Sequence, residues 1–357
     1  MKTVAYYISD YGFGHAARSI AVIRELLRQS ESLHIIVCHS FAQEFLKQSL
    51  PDERVTFRCV KTDVGYYLKE NTLEPDKELI DLKVKEQLTN WSFLIHKECL
   101  FLRETEVDLV ISDISPIGIS SAFELGIPTI GISNFTWHTA YQGLIRGESL
   151  EFLKRQYDKM SYFFSLAGSQ EPKWGTVDNK QFGFYSRELD LLDVQRIKDH
   201  LNPTGDKIIV FFGLGMKIND EYFKKLELWN SPNCIFVTSY HSDIDEPNIV
   251  KIPKDYLESQ NYIAAADMVI SKAGWGTISE GVCGQTPLVI VNRKSMQEDK
   301  NTIEFLENHH LCELITEEEL DQFMINESFI KKVKKQKQEL WRSDINRIGS
   351  EILAILN

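Results

Sequence analysis

Positive charge is scarce in this sequence. Forty lysines and arginines stand against 52 aspartates and glutamates over 357 residues, a formal net charge of −12. A general nucleic-acid binder needs clustered cations to neutralise phosphates, so that class is excluded. Cysteine is sparse too. The six, Cys38, Cys59, Cys99, Cys234, Cys283 and Cys312, include no C-x-x-C pair. Most lie in apolar surroundings, where a thiol behaves as a small buried hydrophobe. They read as free thiols of a reducing cytosol. Long apolar runs are missing as well. The first one, in MKTVAYYIS, is broken by Asp10, and no later stretch reaches membrane-spanning length without charges. No low-complexity tract or short-period repeat occurs.

What is present is alternation. Thr3–Ser9 reads as a buried strand, and His15–Gln29 carries Ile20, Ile23, Leu26 and Leu27 at helical spacing. Strand patterns follow at 34–38, 55–60, 109–112 and 127–132, with helices between them and one long helix from about Asp76 to Glu104. After a polar, turn-rich stretch at Ser186–Gly205, read as a linker, the pattern resumes with strands at 207–212, 234–238, 268–270 and 288–291. The length and the alternation predict an α/β protein of two Rossmann-like domains, residues 1–185 and 206–340, followed by a C-terminal segment, 341–357. Ligands of open α/β sheets bind outside the carboxyl ends of the strands. That puts the turns at 10–15, 113–116, 213–217 and 271–277 at domain edges, lining one cleft if the domains face each other.

Two stretches carry chemistry. In DYGFGHAARS, Gly12 and Gly14 precede a helix and flank the approach to His15. This is either a tight turn with a polar cap or a place where a ligand meets backbone and a histidine moves a proton. In SKAGWGTISEGVCGQTP, a strand enters a glycine turn, Gly274 and Gly276, that opens a helix. Helix N-terminal N–H groups favour anions. Thr277 and Ser279 add hydroxyls, Lys272 suits a phosphate, and Glu280 suits a ribose diol. Gln297 and Glu298, after the next strand, suit sugar hydroxyls.

These residues resemble nucleotide-sugar glycosyltransferases of the GT-B architecture. They are similar to UDP-glycosyltransferases and to the N-acetylglucosaminyltransferase that forms lipid II. The resemblance rests on residues 10–18, on VISDISPIGISSAFELGIPTIGIS, and on 271–301. It implies a nucleotide diphosphate sugar as donor, with UDP the expected nucleotide. Gly14, Gly213 and Gly215, with Gly274, Gly276 and Thr277, fall at the phosphates, and Lys272 stands where many members have His or Arg. Glu280 falls at the donor ribose. Gln297 and Glu298 stand near the family's Asp-Gln pair, about one residue further on than expected. His15 matches the general base of inverting members, and Asp113 the aspartate that orients it. Asp10 is the rival for that role and a candidate acceptor contact. No metal and no cofactor are implied.

Phe135, Trp137 and Tyr141 follow the 127–132 strand as an aromatic patch, either core or an acceptor-binding wall. The acceptor itself, saccharide, lipid-linked or small molecule, is open, as is a role in cell-envelope or polysaccharide biosynthesis. The family also implies that the helix near Ile345–Leu356 packs back toward the N-terminal domain. The run KKVKKQK reads as a solvated helix face, or as a peripheral contact with an anionic membrane. HSDID reads as a solvated loop, and adjacent His309 and His310 do not share a helix face. G-F-G-H-x-x-R, with Arg18, also resembles the nucleotide-sugar hydrolase of pseudaminic acid synthesis and the N-terminal part of arabinokinases. Hydrolysis, a non-catalytic sugar-nucleotide sensor and an epimerase therefore stand as alternatives to transfer.

Overall fold

A computed structural model describes residues 1–69, 72, 74–214, 220–293, 296–336 and 341–357, with side chains excepted at 220 and 221. The chain divides into two compact units. One holds Met1–Tyr67, Pro75–Gly183 and Asp344–Asn357; the other holds Leu68–Glu74 and Phe184–Ser343.

The first unit is built on a seven-stranded parallel sheet. Its strands are β1 (Lys2–Ile8), β2 (Leu33–His39), β3 (Val55–Cys59), β4 (Leu109–Asp113), β5 (Thr129–Ser133), β6 (Tyr162–Ser165) and β7 (Asp178–Gln181), in spatial order β3-β2-β1-β4-β5-β6-β7. Val4 to Ile8 in β1 and all of β4 are buried, because helices cover both faces of the sheet. The order reverses between β1 and β4, so their carboxyl ends form the crevice where ligands of such sheets bind. β6, the apolar run YFFS, and β7 add two strands beyond those expected. β7 is DNKQ, a polar edge strand.

The expected 76–104 helix is two helices, Lys77–Thr89 and Trp91–Glu104, joined at Asn90. The helix Ile345–Leu356 packs on the helix Phe13–Gln29 within this unit. Gly349 permits the approach: a Cβ there would come within 2.8 Å of Glu25 Cγ and Gln29 Nε2.

The second unit has a six-stranded parallel sheet: β8 (Ile208–Gly213), β9 (Cys234–Thr238), β10 (Ile249–Lys251), β11 (Met268–Lys272), β12 (Leu288–Asn292) and β13 (Cys312–Thr316). The spatial order is β10-β9-β8-β11-β12-β13. The reversal falls between β8 and β11, which puts Gly213 and Lys272 at the crevice. The stretch read as a linker is structured. It contains the helix Leu191–Leu201, capped by Asp190, whose side chain accepts from Leu192 N and Asp193 N.

No described helix is long and apolar enough to cross a membrane. In the basic run, Lys331 and Lys332 are exposed on the helix Glu327–Val333, and Lys332 pairs with Glu313 at 2.6 Å. Lys337 lies outside the described residues.

Candidate functional site

Gly12 caps the helix Phe13–Gln29 with φ 85° and ψ 174°, a backbone region essentially closed to residues with a side chain. This turn starts the helix two residues before His15. His15 and Arg18, three apart, share one helix face, and that face lies against the carboxyl ends of β4 and β5.

His15 is buried, 8% exposed. Its Nδ1 stands 3.1 Å from each carboxylate oxygen of Asp113. Arg18 grips the same carboxylate from the side. Nε donates to Oδ2 at 2.8 Å and Nη2 donates to Oδ1. Arg18 also donates from Nη2 to Ser133 Oγ at 3.0 Å and from Nη1 to Asn134 Oδ1 at 2.9 Å. Burial alone would raise Asp113, but the charges of Arg18 and His15 prevail and hold it at about 2. His15 goes down from its ordinary value. Burial is the largest cause and Arg18 adds to it, while Asp113 opposes.

The residue after Asp113, Ile114, has φ 57°, an outlier for a β-branched side chain that costs about 1–3 kcal/mol. The Tyr157 hydroxyl donates to its carbonyl at 2.8 Å and accepts from Trp137 N. Ser112 Oγ donates to Ser115 O beside it. The Asp113 turn is thus held in place from outside the strand.

Asp10 does not serve His15. Its carboxylate accepts from Ser40 N, Ser40 Oγ, Phe41 N and Thr62 N and pairs with His39 Nδ1 at 3.0 Å. Burial pushes it up, but the bonds from His39 and the backbone outweigh that and leave it at about 2. It ties the loops at 10, 40–41 and 62 together. Of the two readings of the aromatic patch, its burial fits core packing. Trp137 and Tyr141 are each 1% exposed, stacked on each other, and held by Asp63 and by Gly65 O. The short helix Trp137–Ala140, capped by Thr136, carries Trp137 and leads into Tyr141. Phe135 is buried too, its ring edge-on to His15 at 5.8 Å. The aromatics that reach the surface at this edge are Phe41, exposed, with half-buried Phe13 and Phe45 packed against one another. The sequence reading passed over them.

In the second unit, Gly274 caps the helix Trp275–Cys283, whose first turn holds Gly276 and Thr277, and the cap residue makes no side-chain bond. Lys272 is half-buried, its Cε lying over Gly274. Glu280 is buried. Its Oε1 accepts from Arg187 Nη2 at 2.8 Å and Nε at 3.3 Å. Arg187 in turn donates to Leu257 O and Ser259 Oγ. Ser279, expected to face a ligand, instead bonds Tyr185 N and O. Gln297 and Glu298 open the helix Gln297–Asn308, where Gln297 donates to Asn301 at 3.0 Å. Beside them Arg293 makes a buried two-bond pair with Asp299, which the sequence reading missed. Gly213 ends β8, and Gly215 lies outside the described residues. Among the described residues no group of three or more His, Cys, Asp or Glu side chains is placed to hold a metal ion.

Solved structures share this architecture over the whole chain. The glycosyltransferase SnogD from Streptomyces nogalater superposes with a TM-score of 0.64 at 12% identity, covering 100% of both chains. The glycosyltransferase of kitacinnamycin gives 0.63 at 15%, covering 100% of this chain and 99% of the other. The chain has the GT-B fold. Residues 238–351 of this GT-B chain match the glycosyltransferase family 28 C-terminal domain. Arabidopsis thaliana UGT89C1, solved with UDP, has the same fold (TM-score 0.63, 12% identity, both chains covered in full). Among curated proteins, the L-arabinokinase of Arabidopsis thaliana is 24% identical over 312 residues. That match takes in 84% of this chain but spans only 29% of the relative's length.

Proposed function

We propose that this GT-B chain transfers a sugar from a nucleotide diphosphate sugar to an acceptor hydroxyl with inversion at the anomeric carbon. The observation that carries the reading is the buried His15–Asp113 pair at the β1/β4 crevice, in a chain whose residues 238–351 match the family 28 C-terminal domain. His15 Nε2 takes the acceptor's proton as its oxygen bonds the anomeric carbon. The bond to the diphosphate breaks and the nucleoside diphosphate leaves with that electron pair. A neutral imidazole suits the task, and such assistance is worth roughly 10²–10⁴-fold.

Donor recognition falls to the second unit: helix N–H groups at Gly274–Thr277 and Lys272 for the diphosphate, Glu280 for the ribose, and Gln297 and Glu298 for sugar hydroxyls. UDP is the proposed nucleotide, as it is the one held by the UGT89C1 neighbour. Water as acceptor is the second reading. It is favoured by the burial of Trp137 and Tyr141, which takes those two rings out of any acceptor-binding wall.

Calorimetry with UDP, dTDP and their sugars on wild type and Glu280→Ala tests the donor half. One nucleotide should bind the wild type, stabilising it by roughly 2.7 kcal/mol at a hundred-fold excess over Kd, and Glu280→Ala should weaken that binding. Product analysis on wild type and His15→Ala tests the chemistry. Retained anomeric configuration, or full activity in His15→Ala, refutes the base. Rapid release of free sugar without added acceptor selects water.

A further inference from the structure

An aspartate beside a histidine ordinarily does two things: it fixes the tautomer and raises the affinity for a second proton. The second effect works against a base, because it leaves the imidazole charged near neutral pH. Here a guanidinium is built into the same pair. Arg18 takes both oxygens of Asp113, and its Nη2 lies 3.0 Å from His15 Nδ1. Nη2 carries two hydrogens. One goes to Asp113 Oδ1 and the other to Ser133 Oγ. His15 Nδ1 is a third group within reach of Nη2, and a hydrogen on Nδ1 aimed at the Asp113 carboxylate satisfies all three contacts at once. Nδ1 therefore carries its own hydrogen and donates it to Asp113. A cation at 3.0 Å also opposes a second proton on the ring.

We propose that Arg18 is a positioning residue for His15: it fixes the Nδ1–H tautomer, keeps the ring uncharged and leaves Nε2 as the proton acceptor. The inference deepens the reading of His15 as general base and rests on it for its catalytic meaning, though not for its geometry.

The other groups facing the ring are few. From its own helix comes Arg18, and from β4 comes Asp113. From β2 comes His39, whose charge also lowers His15, with Asp10 beside it. From the loop after β5 comes the uncharged Phe135. Lowering of His15 by burial and by Arg18 agrees with this geometry.

Nitrogen-15 NMR of the His15 ring, assigned with His15→Gln, tests the proposal on the protein alone. The wild type should show a protonated Nδ1 and an unprotonated Nε2 at neutral pH, with a titration midpoint below the ordinary histidine value. Arg18→Gln should raise the midpoint by one pH unit or more, a tenfold gain in the charged fraction. The acid limb of kcat/KM should move by the same amount. Arg18→Lys keeps a charge without the fork, so it should hold the midpoint low while mixing the tautomers. A wild-type ring protonated on Nε2 overturns the proposal, and this needs no variant to fold. So does an unmoved midpoint in folded Arg18→Gln. If the NMR results hold and no sugar transfer is found, the proposed function fails and the role of Arg18 in setting the ring's state stands. If transfer needs His15 but its titration ignores Arg18, only this inference fails.

Discussion

Replacing Asp63 by Asn should make the protein's stability less sensitive to pH between about 4 and 8. Asp63 lies in the segment after β3, 2% exposed. Its Oδ1 accepts from Asp10 N at 3.2 Å and its Oδ2 from Trp137 Nε1 at 2.9 Å. It thereby pins the start of the loop that leads to His15. Burial, and then the charge of Asp10, push its pKa from 3.8 up to about 7, against the hydrogen bonds from Ser9, Trp137 and Asp10 N. Below the ordinary value both folded and unfolded chains hold the proton. From there to about 7 the folded chain holds a proton that the unfolded chain has lost, so stability falls as pH rises. Above 7 the full cost of a buried carboxylate is present. At 1.36 kcal/mol per pH unit the gap amounts to about 4 kcal/mol, an upper figure because local relaxation lowers it.

Urea unfolding of wild type and Asp63→Asn, from pH 4 to pH 8.5, measures this directly. The variant should start behind at pH 4 by about 1–3 kcal/mol, because an amide does not accept from both Asp10 N and Trp137 Nε1. It should then gain on the wild type steadily up to pH 7.5. Other titrations largely cancel in the difference. Asp10 and Asp113, both held at about 2, lose their contributions only as pH falls below 3.8. His15, held low, lowers stability as pH falls through 6.5, equally in both proteins. A difference that stays flat between pH 4 and 8 would refute the reasoning.

Two further outcomes follow from the buried bonds. Tyr157→Phe removes the donor to the Ile114 carbonyl and the acceptor for Trp137 N, and should cost about 1–3 kcal/mol in urea unfolding while slowing turnover through the Asp113 turn; unchanged stability would mean the left-handed Ile114 needs no external support. Arg187→Met strips the partner from buried Glu280 and should cost about 3–5 kcal/mol, with much of the loss recovered in the Arg187→Met/Glu280→Gln double variant; a double variant no better than the single would show that Arg187 acts through Leu257 and Ser259 instead.

Apart from the His15–Asp113 pairing, which the family resemblance supplied, the parts of the site legible in the sequence were those written in one short stretch. The Gly12–His15 turn and the Gly274–Glu280 turn each join a strand to a helix within a few residues, so glycine, hydroxyl and acid spacing carry their own meaning. What was not legible depends on contacts between distant residues. Arg18 meets Asp113 across 95 positions and Arg187 meets Glu280 across 93, and nothing local to either arginine names its partner. The aromatic patch was left ambiguous for a different reason. Residues that follow a strand turn either outward over the sheet edge or back beneath it. That choice was made by Asp63 and Tyr157, from two other segments, which bond Trp137. The strands β6, β7, β10 and β13 were missed; of these, β7 is an edge strand that need not be apolar, and DNKQ carries no pattern to detect.

The Arg18–Asp113 and Arg187–Glu280 pairs hold their acids in different ways. Asp113 has both oxygens engaged by Arg18 and His15, with Ser19 Oγ approaching Oδ2 at 3.4 Å. A carboxylate so occupied has little capacity left for a substrate hydroxyl, so any part it takes in chemistry passes through the imidazole. Glu280 is held differently. Among the described residues its hydrogen bonds all fall on Oε1, from Arg187. That leaves the acceptor capacity of Oε2 for a diol while the arginine fixes the side chain and offsets its buried charge. The same residue pairing therefore engages both oxygens of the acid in one unit and a single oxygen of the acid in the other. The number of carboxylate oxygens the arginine occupies is what distinguishes them.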